Sequence, residues 1–170
     1  MTIEKKLLDK DKSSKKFKGK TTIGEILETA ASFEEVAFKF YSSLKNKVSP
    51  PLRRLVQELA DEENRHVELF KSLSQYPQVP EQLAQLIKTL PSDQHFSDYI
   101  EFPNLNEFSD DKAIIQYAIG REQAAMQQYM SLAKEMPPGP IQDLFRYLAH
   151  EELRHKRDLE KRYQELLSSC

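Results

Sequence analysis

Glu63 and His66 stand three residues apart in Leu59-Ala60-Asp61-Glu62-Glu63-Asn64-Arg65-His66. Glu152 and His155 repeat that spacing in Leu148-Ala149-His150-Glu151-Glu152-Leu153-Arg154-His155. On a helix, positions i and i+3 share a face about one turn apart, so a carboxylate and an imidazole placed this way can grip one metal ion together. One such pair is a weak signal, because Glu and His are ordinary helix residues. The return of the whole pattern in the last third of the chain is a strong one.

Two further glutamates repeat in the same way. Ala30-x3-Glu34-x2-Ala37-x3-Tyr41 corresponds to Ala118-x3-Glu122-x2-Ala125-x3-Tyr129. Glu34 precedes Glu63 by 29 residues, and Glu122 precedes Glu152 by 30. The candidate ligand set is therefore Glu34, Glu63, His66, Glu122, Glu152 and His155, all on apolar stripes. Four carboxylates turned into a core would cost many kcal/mol unpaired and would protonate instead, whereas two divalent cations cancel them. Carboxylate and imidazole ligands without thiolates suit Fe or Mn rather than Zn or Cu(I). Arg65 and Arg154, each just before its His, offer the other arrangement, a metal-free network of ion pairs. Tyr41 and Tyr129 lie two turns beyond Glu34 and Glu122 on the same stripes; they are read as core residues, the sharper role being a hydrogen bond to a ligand or a radical relay.

Helices must carry these residues. Thr22-Ile23-Gly24-Glu25 fits a capping box, and apolar residues from Ile26 to Leu44 recur at helical spacing, predicting a first helix from near Thr22 to about Lys45. Pro50-Pro51 opens a second helix that runs to about Gln75, with Pro tolerated in a first turn. Residues 76–109 contain Pro77, Pro80, Pro91 and Pro103, and only Pro80–Leu90 reads as a short helix. A third helix spans about Asp110 to Glu135, and after Pro137-Pro138-Gly139-Pro140 a fourth runs from Ile141 to about Leu167. Two helical hairpins joined by a long segment predict an all-α four-helix bundle, with a crossover between the second and third helices that sets them parallel.

Composition agrees. The 170 residues allow one domain, with 31% charged side chains, four glycines and a formal charge of −2. No apolar run reaches the ~18–20 residues of a membrane span, and the N-terminus lacks a signal-peptide core. The single cysteine is Cys170, so neither an internal disulfide nor a thiolate cluster forms, and a reducing, cytoplasmic setting is expected. Residues 1–20 hold eight lysines against Glu4, Asp9 and Asp11, a basic tail ahead of the bundle at 21–170. The tail has no aromatic-plus-Arg pattern of nucleic-acid binding.

These motifs resemble the rubrerythrin and bacterioferritin-like branch of the ferritin-like superfamily over roughly residues 22–167. The resemblance implies that Glu34 and Glu122 are terminal ligands, that Glu63 and Glu152 bridge two metals, and that His66 and His155 each serve one. Glu62 and Glu151 then fit as non-ligands, although their i to i+4 spacing to the histidines leaves an exchange with Glu63 and Glu152 open. The implied activity is a non-haem di-iron oxidoreductase that reduces H2O2 or O2, with Glu63 and Glu152 at the reacting centre and the metals about 3.5–4 Å apart. Iron oxidation for storage or delivery, and a non-catalytic metal-binding bundle, are the alternatives; a homodimer is expected by analogy. Three departures stand out. The cysteines of a rubredoxin-type iron site are missing, so electrons come from a separate donor or from Fe(II) itself. Ala125 occupies the place of an extra rubrerythrin glutamate, and Asn64 that of the haem-binding Met of bacterioferritin, so no haem is expected.

Overall fold

In a computed structural model, which describes residues 21–87, 91–93 and 95–169, helix α1 (Ile23–Leu44) begins where the capping chemistry places it. Thr22 is extended, and its hydroxyl accepts the Glu25 N–H at 3.1 Å. The Glu25 carboxylate accepts from the Thr21 hydroxyl beside it. Helix α2 (Pro50–Ser72) has its prolines in the first turn and ends in a 3₁₀ turn, Leu73–Gln75. After the crossover, Asp110 caps α4 (Asp111–Glu135) by accepting the Ala113 N–H at 2.9 Å. Helix α5 (Pro140–Ser168) follows Gly139, whose φ of +144° only glycine adopts without strain.

The crossover departs from expectation. In place of a helix over Pro80–Leu90 there is a five-residue helix, α3 (Val79–Leu83), and then a strand, β2 (Leu86–Ile87), paired antiparallel with β1 (Thr21–Thr22). The strand alternation buries Ile87 and leaves Leu86 57% exposed. Gln85 gives its carbonyl to the Ile23 N–H at 2.9 Å, which ties the crossover to the start of α1. The apolar spacing at Leu83, Leu86 and Ile87 suits helix and strand alike, and this pairing decides between them. Phe96–Tyr99 and Leu105–Glu107 form two further 3₁₀ turns. The basic tail and Cys170 lie outside the described residues.

Contacts at its two ends fix the path of the crossover. It begins beside the N-terminus of α1, with the Leu83 carbonyl close to Gly24. It ends beside the α1–α2 turn, where Lys47 donates to Asn106 at 3.2 Å and the Ser49 N–H reaches the Asp111 carboxylate at 3.3 Å. It therefore travels the length of α1, roughly 33 Å for 22 residues. Helices α2 and α4 start at the same end of the bundle and run parallel. On the way, Phe96 stacks on Phe33 of α1 and meets Tyr129 of α4, and a side chain at Gly120 would collide with the Tyr99 hydroxyl.

The apolar core is split. One cluster gathers Ile23, Ile26, Phe33, Leu132, Ile141 and Phe145 at the end where α1 begins. The other gathers Phe40, Leu44, Leu52, Val56, Ile115 and Leu159 at the end of the α1–α2 turn. Between them lies a layer of charged side chains. Among the described residues no helix is long and apolar enough to cross a membrane.

Candidate metal centre

All six predicted residues meet in that layer. Each is no more than 1% exposed. Helices α1 and α4 contribute one glutamate each, and α2 and α5 one Glu-x-x-His pair each. Two groups of four result: Glu34, Glu63, His66 and Glu152, and Glu63, Glu122, Glu152 and His155. Glu63 and Glu152 belong to both.

The distances show how they are shared. Nδ1 of His66 lies 3.2 Å from Glu34 Oε2, 3.1 Å from Glu63 Oε2 and 3.2 Å from Glu152 Oε1. Nδ1 of His155 lies 3.3 Å from Glu63 Oε1, 3.4 Å from Glu152 Oε2 and 3.8 Å from Glu122 Oε2. Each shared carboxylate thus turns one oxygen toward each histidine. Ligand atoms about 2.1 Å from a metal and at right angles around it stand about 3 Å apart, which these spacings fit. The two imidazoles stack with centroids 5.6 Å apart and planes 17° from parallel.

Electrostatics describe a site short of cations. Burial, then the charge of Glu63, pushes Glu34 up to about 7. Glu152 is raised well above the carboxylate range by burial and by Glu63 and Glu122. Burial raises Glu63 as well, but the imidazoles of His155 and His66 close beside it outweigh burial and hold it ionised. Burial likewise disfavours charge on both histidines, and the glutamates around them override it and keep them protonated. Even so, Glu63 Oε1, Glu122 Oε2, both oxygens of Glu152 and Nδ1 of His155 have no hydrogen-bond partner. A buried polar atom left alone costs about 1–3 kcal/mol. This donor set fits divalent cations.

The flanking residues hold the ligand candidates in place. The Tyr41 hydroxyl donates to Glu122 Oε1, and the Tyr129 hydroxyl donates to Glu34 Oε1. These bonds cross between α1 and α4, so each tyrosine fixes the glutamate of the opposite half. Burial, then the charge of the paired glutamate, raises both phenols well above their usual range, so both stay donors. The core role and the hydrogen-bonding role apply together. Glu62 lies outside the layer against Nε2 of His155, and Glu151 lies 4.0 Å from Nε2 of His66. Glu63 and Glu152, not their neighbours, face the inner nitrogens.

A family model for rubrerythrin matches residues 25–107 and 113–169. The chain belongs to the rubrerythrin family. No curated protein and no solved structure matches it. Its membership accords with the paired Glu/His clusters and with Ala30, Ala37 and Ala118, all buried where the helices close around the layer.

Two features escaped the sequence reading. Arg121 is fully buried next to Glu122, its guanidinium 4.2 Å from the centre of the Phe33 ring and bonded to the Phe33 carbonyl at 3.3 Å. Gln128 is buried with both amide atoms unpartnered. The signal was there: positions 114, 118, 121, 125, 128 and 132 form one helical stripe, and two of them are polar. The predicted arginine network exists too, but outside the layer. Arg154 binds Glu62 and Glu151 at 2.8 and 2.7 Å, and Arg65 lies 3.6 Å from Glu62.

Proposed function

We propose that the polar layer binds two ferrous ions and that the protein is a non-haem di-iron oxidoreductase reducing H2O2 or O2. One observation carries this reading: Glu63 and Glu152 each divide their two oxygens between two otherwise separate groups of ligands. Glu34 and His66 would complete one ion's surroundings, Glu122 and His155 the other's. Two adjacent ferrous ions would supply two electrons together, the number that takes H2O2 to two waters, or O2 to H2O2, without releasing a radical.

The chain's own residues prepare the site. Glu62 takes the hydrogen bond of His155 Nε2, which leaves Nδ1 bare toward the layer once the ring is neutral. Tyr41 and Tyr129 hold Glu122 and Glu34 in fixed rotamers through one oxygen each, leaving the other oxygen for metal. The apolar clusters above and below exclude bulk water, so charge inside the layer is weakly screened.

The test is anaerobic loading with Fe(II) followed by a pulse of peroxide and, separately, of O2. Oxidation much faster than that of free Fe(II) is expected with one of them. A rate equal to that of free Fe(II) with both refutes the oxidoreductase reading and leaves a metal-binding bundle. Purified protein that takes up neither iron nor manganese refutes the site itself.

A further inference from the structure

The six residues of the layer are shut off from solvent, so an ion must be passed inward by groups that touch both. Glu62 and Glu151 do so: their side chains are 17% and 21% exposed, and they lie against the outer nitrogens of His155 and His66 along the seam between α2 and α5. The two histidines differ here. His155 Nε2 is held by Glu62, while His66 Nε2 is buried without a hydrogen-bond partner and aimed at Glu151 Oε2, 4.0 Å away. One ligand atom from each of His66, Glu151 and His155 falls within 4.8 Å of the others.

We propose that Glu151, with the outer nitrogen of His66, forms a separate divalent-cation site through which metal is loaded into the buried layer, and that Arg154 closes it. The inference rests on the reading of that layer as a metal centre. Arg154 spans the seam, gripping Glu62 of α2 and Glu151 of α5 at 2.8 and 2.7 Å, with its side chain 47% exposed. It stands where a cation would stand, and a rotation into solvent would free both carboxylates for an incoming ion.

His66 presents one ring nitrogen to each side. Its Nε2 stands toward Glu151, and its Nδ1 lies 3.1–3.2 Å from Glu34, Glu63 and Glu152. An ion captured at Glu151 is therefore already beside a residue of the buried layer. Nε2 of His155 is taken by Glu62, so the open side of the seam is the one at His66.

Stopped-flow loading with Co2+, followed by its visible absorption and by release to EDTA, tests this on the full chain. Loss of an outer carboxylate weakens capture by about 10- to 100-fold, so Glu151→Gln is expected to load at least about tenfold more slowly yet reach the wild-type final stoichiometry. Arg154→Met is expected to load and release several-fold faster, also with unchanged stoichiometry. Should Glu151→Gln fail to fold by circular dichroism, Glu151→Ala repeats that arm. Wild-type loading rates in the Glu151 variant, or no acceleration in Arg154→Met, overturn the proposal while the buried centre stands. No uptake of Co2+ by the wild type overturns the buried centre as well.

Discussion

Removing a glutamate that both groups share must cost more metal than removing one that belongs to a single group. Glu34→Ala leaves Glu63, Glu122, Glu152 and His155 intact, a complete set for one ion. Glu63→Ala leaves each group one ligand short. An ion present at 100 times its Kd stabilises the fold by about 2.7 kcal/mol, and for a chain of this size each kcal/mol raises Tm by about 2–4 °C. Two ions should therefore raise the wild-type Tm by about 10–20 °C, one ion in Glu34→Ala by about half that, and Glu63→Ala should respond by a few degrees at most. The assay is a thermal melt of each variant with Mn(II) and with chelator, so that every protein is its own reference and the cavity left by alanine cancels. Elemental analysis of desalted protein gives the matching stoichiometries, about two, one and near zero ions per chain. Equal losses in the two variants, or one ion retained in Glu63→Ala, would refute the sharing of Glu63.

Metal binding should also release protons, because ligands must shed them. His66, His155 and Glu152 are held protonated in the metal-free layer, and Glu34 is about half so near pH 7. Binding two ions should release about three to four protons, and affinity should fall as pH drops, more steeply below pH 7 where Glu34 adds its own. Calorimetry in buffers of different ionisation enthalpy measures this; release of less than one proton contradicts it. Tyr129→Phe and Tyr41→Phe each strip a donor from a buried carboxylate and should cost about 1–3 kcal/mol in the metal-free protein, read by denaturant unfolding. Gly139→Ala puts a side chain at φ +144° with its Cβ 3.0 Å from Gln82 Nε2. A loss of about 1–3 kcal/mol in the same assay is expected; an unchanged midpoint would show that the turn relaxes.

The buried layer was legible because its residues announce themselves twice. Glu34, Glu63, His66, Glu122, Glu152 and His155 all interrupt apolar stripes at matched spacing, and helix periodicity alone is enough to converge them. Helix starts were legible for a similar reason, since Thr22, Pro50 and Asp110 act through local chemistry. The crossover was not, because Ile87 is fixed by pairing with Thr21, a partner 66 residues away that no local pattern reveals. Nor was the crossing of Tyr41 to Glu122 and of Tyr129 to Glu34, which depends on which helices are neighbours. Arg121 went unread because long basic side chains on helices usually reach solvent, and this one stacks inward on Phe33.

The split core sets stability against chemistry. Two apolar clusters separated by six buried ionisable groups make a poorer core than one continuous cluster of the same volume. Where buried charged groups elsewhere have been replaced together by apolar residues, the result has often been neutral or stabilising by about 1–4 kcal/mol. Filling this layer with leucine, methionine and phenylalanine should fuse the two clusters into a bundle that melts higher without metal and does nothing with it. If the layer binds metal as proposed, the native sequence keeps the weaker metal-free fold and its folded population follows cation supply. Withholding the ion would then lower the level of the protein itself.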